Sequence, residues 1–131
     1  MPQSKKIVLD TNFLLIPAQF GLDIFEELKK LCSLPYKVFI VDKSLKELKK
    51  VLKEGKGADK KAASIALSLI QDKNINIIPT STADYVDDIL LSLDGIYAVC
   101  TQDRALQKKL EEKGVRIIRM RQKKYLEFKE D

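Results

Sequence analysis

The residues of this chain able to do chemistry are carboxylates. Histidine is absent, and the two cysteines, Cys32 and Cys100, form no C-x-x-C pair. Imidazole acid–base catalysis and a zinc site of nitrogen and sulfur ligands are therefore both excluded. Four acids stand out by their settings: Asp10 in VLDTN, Glu47 in SLKEL, Asp87 in VDDIL and Asp103 in CTQDRAL. Brought together, they would repel one another unless a cation neutralised them, and an all-oxygen donor set suits a hard ion such as Mg²⁺ or Mn²⁺. Such an ion polarises a phosphodiester oxygen and activates water, so the chemistry expected is hydrolysis of a nucleic acid backbone.

Charge points the same way. Against 19 acidic residues stand 24 lysines and arginines, giving a net charge of +5 and a pI near 9.1. This favours a polyanionic partner, although a lysine-rich surface also serves solubility. The chain has no run of 18 apolar residues, and its start, MPQSKKIVLD, lacks the features of a signal peptide. A reduced, cytoplasmic protein without a membrane span is the expectation.

The elements that must position the acids follow from hydrophobic period and punctuation. A first strand at Ile7-Val8-Leu9 ends at Asp10, and a helix is expected from about Asp23 to Cys32. Between them, Phe13 to Pro17 is too apolar for a surface loop. Strand two, Lys37 to Val41, leads through Asp42 into a helix on Leu45, Leu48 and Leu52, stopped by Gly55 and Gly57. Further helices are expected at Lys60 to Ile70 and Thr82 to Leu93, the second after a strand at Ile75 to Ile78. Strand four, Ile96 to Cys100, precedes a helix opened by Asp103 and stopped at Gly114, and strand five is Val115 to Ile118. Strands read as continuous apolar runs, which implies burial on both faces and a parallel sheet between helices. The fold class is α/β, a three-layer α/β/α sandwich, with one domain over 1–120. The segment 121–131 reads as a basic and aromatic tail, suited either to RNA contact or to capping the sheet or a partner subunit.

In a parallel sheet the functional crevice lies beyond the carboxyl ends of the strands, where strand order reverses. Asp10 and Asp103 both sit there, and they converge if strands one and four are neighbours. Each also reads as a helix cap. Glu47 falls at the boundary between the apolar and lysine-bearing arcs of its helix, where a pairing with Lys43 or Lys50 is the alternative role. Asp87 lies at the edge of the stripe Val86, Ile89, Leu90 and Leu93, whereas Asp84 and Asp88 point more nearly to solvent.

Taken in order along the chain, these four motifs resemble the PIN-domain ribonucleases. The resemblance covers nearly the whole chain and implies a parallel sheet in order 3-2-1-4-5, making strands one and four neighbours. It implies that Asp10, Glu47, Asp87 and Asp103 form a site for Mg²⁺ or Mn²⁺, supported by Thr101, Asn12 and Asp88. Val86 replaces a small residue often found before the third acid, which leaves the choice between Asp87 and Asp88 open. The implied activity is metal-dependent endoribonuclease cleavage leaving a 5′-phosphate and a 3′-hydroxyl. The opening LDTNFLLIPAQFGLDIFEEL is similar to an archaeal group related to PIN nucleases of small-subunit rRNA processing.

The alternative within that resemblance is a toxin nuclease paired with an antitoxin; a different class is a non-catalytic RNA-binding assembly factor, in which the acids are caps and surface pairs. Besides RNA, a homodimer and a protein inhibitor or assembly partner are the partners implied. An aspartyl-phosphate mechanism is disfavoured: Asp10-Thr11-Asn12 lacks the second aspartate of a D-x-D phosphatase, and Ile118-Arg119 stands where receiver domains need lysine.

Overall fold

Six strands form one sheet in the order β3-β2-β1-β4-β5-β6. The computed structural model describes residues 5–80, 84–93 and 95–130. From the first strand, β1 (Lys5–Leu9), the chain passes through a 3₁₀ turn (Thr11–Leu15) into α1 (Ile16–Phe20) and α2 (Ile24–Leu31). Strand β2 (Tyr36–Val41) runs directly into α3 (Asp42–Glu54), followed by α4 (Gly57–Asp72) and β3 (Asn76–Ile78). The second half comprises α5 (Val86–Ser92), β4 (Tyr97–Cys100), α6 (Arg104–Glu112), β5 (Ile117–Arg121) and β6 (Tyr125–Phe128). Among the described residues no helix is long and apolar enough to cross a membrane.

Alternation along the strands divides the core between two helical layers. Ile7 and Leu9 of β1, with Ile40, Ala98 and Cys100, face the 3₁₀ turn, α1, α2, α3 and α4 through Phe13, Ile16, Leu28, Leu48 and Ala66. Val8, Val41, Val99 and Ile117 face the other way, onto Val86, Ile89 and Leu90 of α5 and Leu106 and Leu110 of α6. Phe13, Leu14 and Ile16 are at most 2% exposed, so these residues belong to the core.

Strands β1 to β5 are parallel in the order 3-2-1-4-5, with Leu9 beside Cys100 in the pairing of β1 and β4. The sheet has a sixth strand where five were expected. Part of the supposed tail forms β6, antiparallel to β5, pairing Met120 with Leu126 and Ile118 with Phe128. Leu126 is buried in the core, Arg119 forms an ion pair with Glu127 at 3.1 Å, and the Arg116 guanidinium lies 3.9 Å from the Phe128 ring centre. These apolar and stacking contacts hold residues 125–128 to the sheet. Helix α5 is shorter than expected: it begins at Val86, Tyr85 precedes it in extended backbone, and its expected start at Thr82 lies outside the described residues.

Candidate active site

Because β1 and β4 are neighbours, their carboxyl ends deliver Asp10 and Thr101 to the same point. The Asp10 amide donates to the Cys100 carbonyl at 3.0 Å, extending the β1–β4 ladder by one step. Across this step the Thr101 hydroxyl donates to Asp10 Oδ2 at 2.8 Å. Thr101 is fully buried and Asp10 is 7% exposed. Thr101 is itself held, since its carbonyl accepts from the Gln107 side chain at 2.7 Å and its hydroxyl accepts from the Asp103 amide at 3.1 Å. Asp10 makes no side-chain cap to the 3₁₀ turn that follows it.

Asp103 has both roles its sequence suggests. It caps α6, with Oδ1 accepting from the Leu106 amide at 3.1 Å, and it lines the cleft beside Asp10. A carboxylate has two oxygens, so capping with one does not use up the group.

Glu47 comes to the site from α3 along a separate polar chain. Thr11 Oγ1 lies 2.6 Å from Glu47 Oε1 and 2.7 Å from Ser44 Oγ, and Ser44 is fully buried. A carboxylate only accepts, so the single Thr11 hydroxyl proton goes to Glu47 and the Ser44 hydroxyl donates to Thr11. Nearby, the Asp42 carboxylate accepts from the Thr80 amide at 2.9 Å and from its hydroxyl at 2.6 Å. These bonds hold Asp42 below the usual carboxylate range and tie the start of α3 to the chain leaving β3.

The resulting cleft of about 590 Å³ is lined by Asp10, Glu47, Asp87 and Asp103, among others, and Asn12 lies on its wall. All four expected acids therefore face one space. Asp88 is exposed and does not line it; its charge acts on Asp87. Burial pushes the Asp10 carboxyl from 3.8 to about 6, and the charges of Asp87 and Asp103 add to the rise, while the Thr101 hydroxyl and the nearby Thr11 amide oppose it. The Asp87 carboxyl is also raised, by burial first and then by Asp103 and Asp88, with Lys109 acting against them.

Sequence reasoning left four contributors unassigned. Ser44 and Gln107 are buried polar side chains inside helical repeats, and nothing in their spacing separates them from surface residues. Lys50 and Tyr85 also line the cleft, and Tyr85 is exposed because α5 starts after it.

The donor chemistry suits a hard cation. Among the described residues no three acid, histidine or cysteine side chains converge closely enough to enclose an ion by themselves. A closed cage is not required, because Mg²⁺ retains several waters and is commonly held by one or two carboxylates together with substrate phosphates. A buried Asp10 whose ionisation is opposed by two neighbouring acids is a group that positive charge would relieve. The residues present therefore fit the ion.

The chain is similar to known proteins over most of its length. A family model described as a PIN like domain matches residues 7–123. Ribonuclease VapC4 of Methanocaldococcus jannaschii is 32% identical over 128 residues, covering 94% of this chain and 95% of that protein. The structure of the PIN domain endonuclease Utp24 is similar with a TM-score of 0.79, over 95% of this chain and 90% of the other, at 24% identity, a likeness of fold. On the strength of a family match spanning most of its length and a relative similar from end to end, the chain belongs to the PIN domain family.

Proposed function

We propose that this protein is an endoribonuclease dependent on Mg²⁺ or Mn²⁺. The observation that carries the reading is the setting of Asp10: buried at the end of the central strand, held by Thr101, and raised to about 6 in a cleft shared with Glu47, Asp87 and Asp103. The name of the relative Ribonuclease VapC4 supports RNA as the substrate. Asp10 and Asp103 would hold the ion most directly, with Asp87 sharing it and Glu47 either binding it or orienting the attacking water. When bound, the ion supplies positive charge that polarises the phosphodiester and lowers the pKa of water.

The chain's own groups do the rest. Thr101 and Thr11 fix Asp10 and Glu47 at the two sides of the cleft, so little reorganisation is needed when substrate enters. Lys50, on the cleft wall, attracts the phosphate backbone that the acids alone would repel. The products are a 5′-phosphate and a 3′-hydroxyl. Cleavage of ribosomal RNA precursor in the cytoplasm is the biological task we propose, on the resemblance of the opening segment. A toxin role with a protein inhibitor, and self-association, are the remaining family alternatives.

The test is cleavage of a labelled structured RNA by wild type and Asp10→Asn, with Mn²⁺ and with EDTA. Cleavage that requires both the ion and Asp10 is expected. Equal turnover by the two proteins would refute the assignment, and RNA binding without cleavage by either would favour the assembly-factor reading.

A further inference from the structure

Of the large apolar side chains among the described residues, Tyr85 is the most exposed, at 80%. It precedes α5 in extended backbone, and the peptide before it is pinned because Lys43 Nζ donates to the Asp84 carbonyl at 2.6 Å. Phe20, exposed on α1, has Lys123 5.4 Å from its ring centre. The Tyr85 ring is thus a solvated aromatic face carried next to a tethered peptide.

Its place in the fold says what it faces. Tyr85 lies on the wall of the acid-bearing cleft and also on a shallower depression of about 240 Å³ that continues from it. Lys43, Lys46 and Lys50 line that depression, and their spacing of three and four residues puts them on one face of α3. Acids in the cleft and ammonium groups beside it form a boundary between a place where a phosphodiester can be cut and a place where its neighbours can be held.

We infer that Tyr85 and the Lys43, Lys46 and Lys50 face of α3 form a subsite for an unpaired nucleotide adjoining the bond to be cut. The inference rests on the ribonuclease reading and specifies its substrate class. The base stacks on the Tyr85 ring, and the phosphates of the same strand follow the lysines. Stacking of this kind accepts every base but needs an open base face, which a duplex hides against its neighbouring pairs. Single-stranded RNA, or the loop of a folded one, is therefore the substrate.

The test uses the whole chain in EDTA, so that binding is read without cleavage. Fluorescence anisotropy would follow an unstructured 12-nucleotide RNA and a blunt RNA duplex of equal length, with wild type, Tyr85→Ala, Tyr85→Phe and the double variant Lys46→Gln/Lys50→Gln. Wild type should prefer the single strand. Tyr85→Ala should weaken it by roughly 5- to 150-fold and Tyr85→Phe by less than about twofold. The lysine variant should lower the slope of log K against log salt by about 1.4. Tyr85→Ala binding like wild type, Tyr85→Phe losing as much as Tyr85→Ala, or equal affinity for the duplex would each overturn the subsite. Metal-dependent cleavage tests the nuclease reading separately. A chain that cuts nothing can still show the subsite, and a chain that cuts RNA with an unchanged KM in Tyr85→Ala lacks it.

Discussion

Thr101 donates its hydroxyl proton to Asp10 Oδ2 across 2.8 Å, joining residues 91 positions apart in the chain. The Thr101 hydroxyl oxygen in turn accepts from the Asp103 amide, so one buried hydroxyl sets the positions of two acids from different strand ends. Replacing it by the isosteric Thr101→Val removes both interactions while keeping the volume.

The Thr101 bond opposes the rise of the Asp10 carboxyl, so in the metal-free protein Thr101→Val should move Asp10 upward from about 6. Carboxyl titration by NMR reads the shift directly. Stability should fall by about 1–2 kcal/mol, because the Asp103 amide loses its acceptor. Cleavage should drop although every acid remains. An unmoved Asp10 titration would show that the hydroxyl is not what positions it.

The Ser44, Thr11 and Glu47 chain makes a prediction about coupling. Thr11→Val strands the buried Ser44 hydroxyl and releases Glu47, and should cost about 1–3 kcal/mol as well as activity. Adding Ser44→Ala removes the stranded group, so the double variant should regain on the order of 1 kcal/mol of stability without regaining activity. Urea denaturation of the two single variants and the double variant measures the coupling; strictly additive losses would contradict it.

Leu126 tests what the C-terminal segment does. It is 5% exposed and packs into the larger core cluster, so Leu126→Ala should destabilise by about 2–4 kcal/mol, whereas exposed Lys124→Gln should stay within about 0.5 kcal/mol of wild type. Thermal unfolding distinguishes the two. A free arm would leave the melting temperature untouched by either change.

The same segment shows where the sequence is hard to read. Strands β1, β2 and β4 are visible as apolar runs because both their faces are buried, and a parallel sheet then puts Asp10 and Asp103 at one edge. Strand β6 is an edge strand with a mixed sequence, and the turn before it puts Gln122 and Lys123 at φ 54° and 57° with no glycine or asparagine to announce it. Counting residues along α3 places Glu47 only at the boundary between its apolar and lysine-bearing arcs. Its link to Thr11 depends on how α3 packs against the 3₁₀ turn, which no local pattern encodes.

Metal and pH effects on stability should be linked through Asp10. Its carboxyl is raised from 3.8 to about 6, so between those values the folded protein binds more protons than the unfolded chain. Stability of the metal-free protein should therefore fall as pH rises through that window, by at most roughly 3 kcal/mol. Asp10→Asn carries no charge to bury, so in EDTA it should melt above wild type at pH 7.5 and level with it below pH 4. Adding Mn²⁺ should close most of that gap at pH 7.5: at a hundred times its dissociation constant an ion stabilises wild type by about 2.7 kcal/mol, and Asp10→Asn should gain far less. Because protons compete for the same oxygen, the Mn²⁺ gain in wild type should shrink as pH falls through about 6. If Mn²⁺ raised the melting temperature of both proteins equally, the ion would be binding away from Asp10, and the acid cleft would no longer be the place to look for hydrolysis.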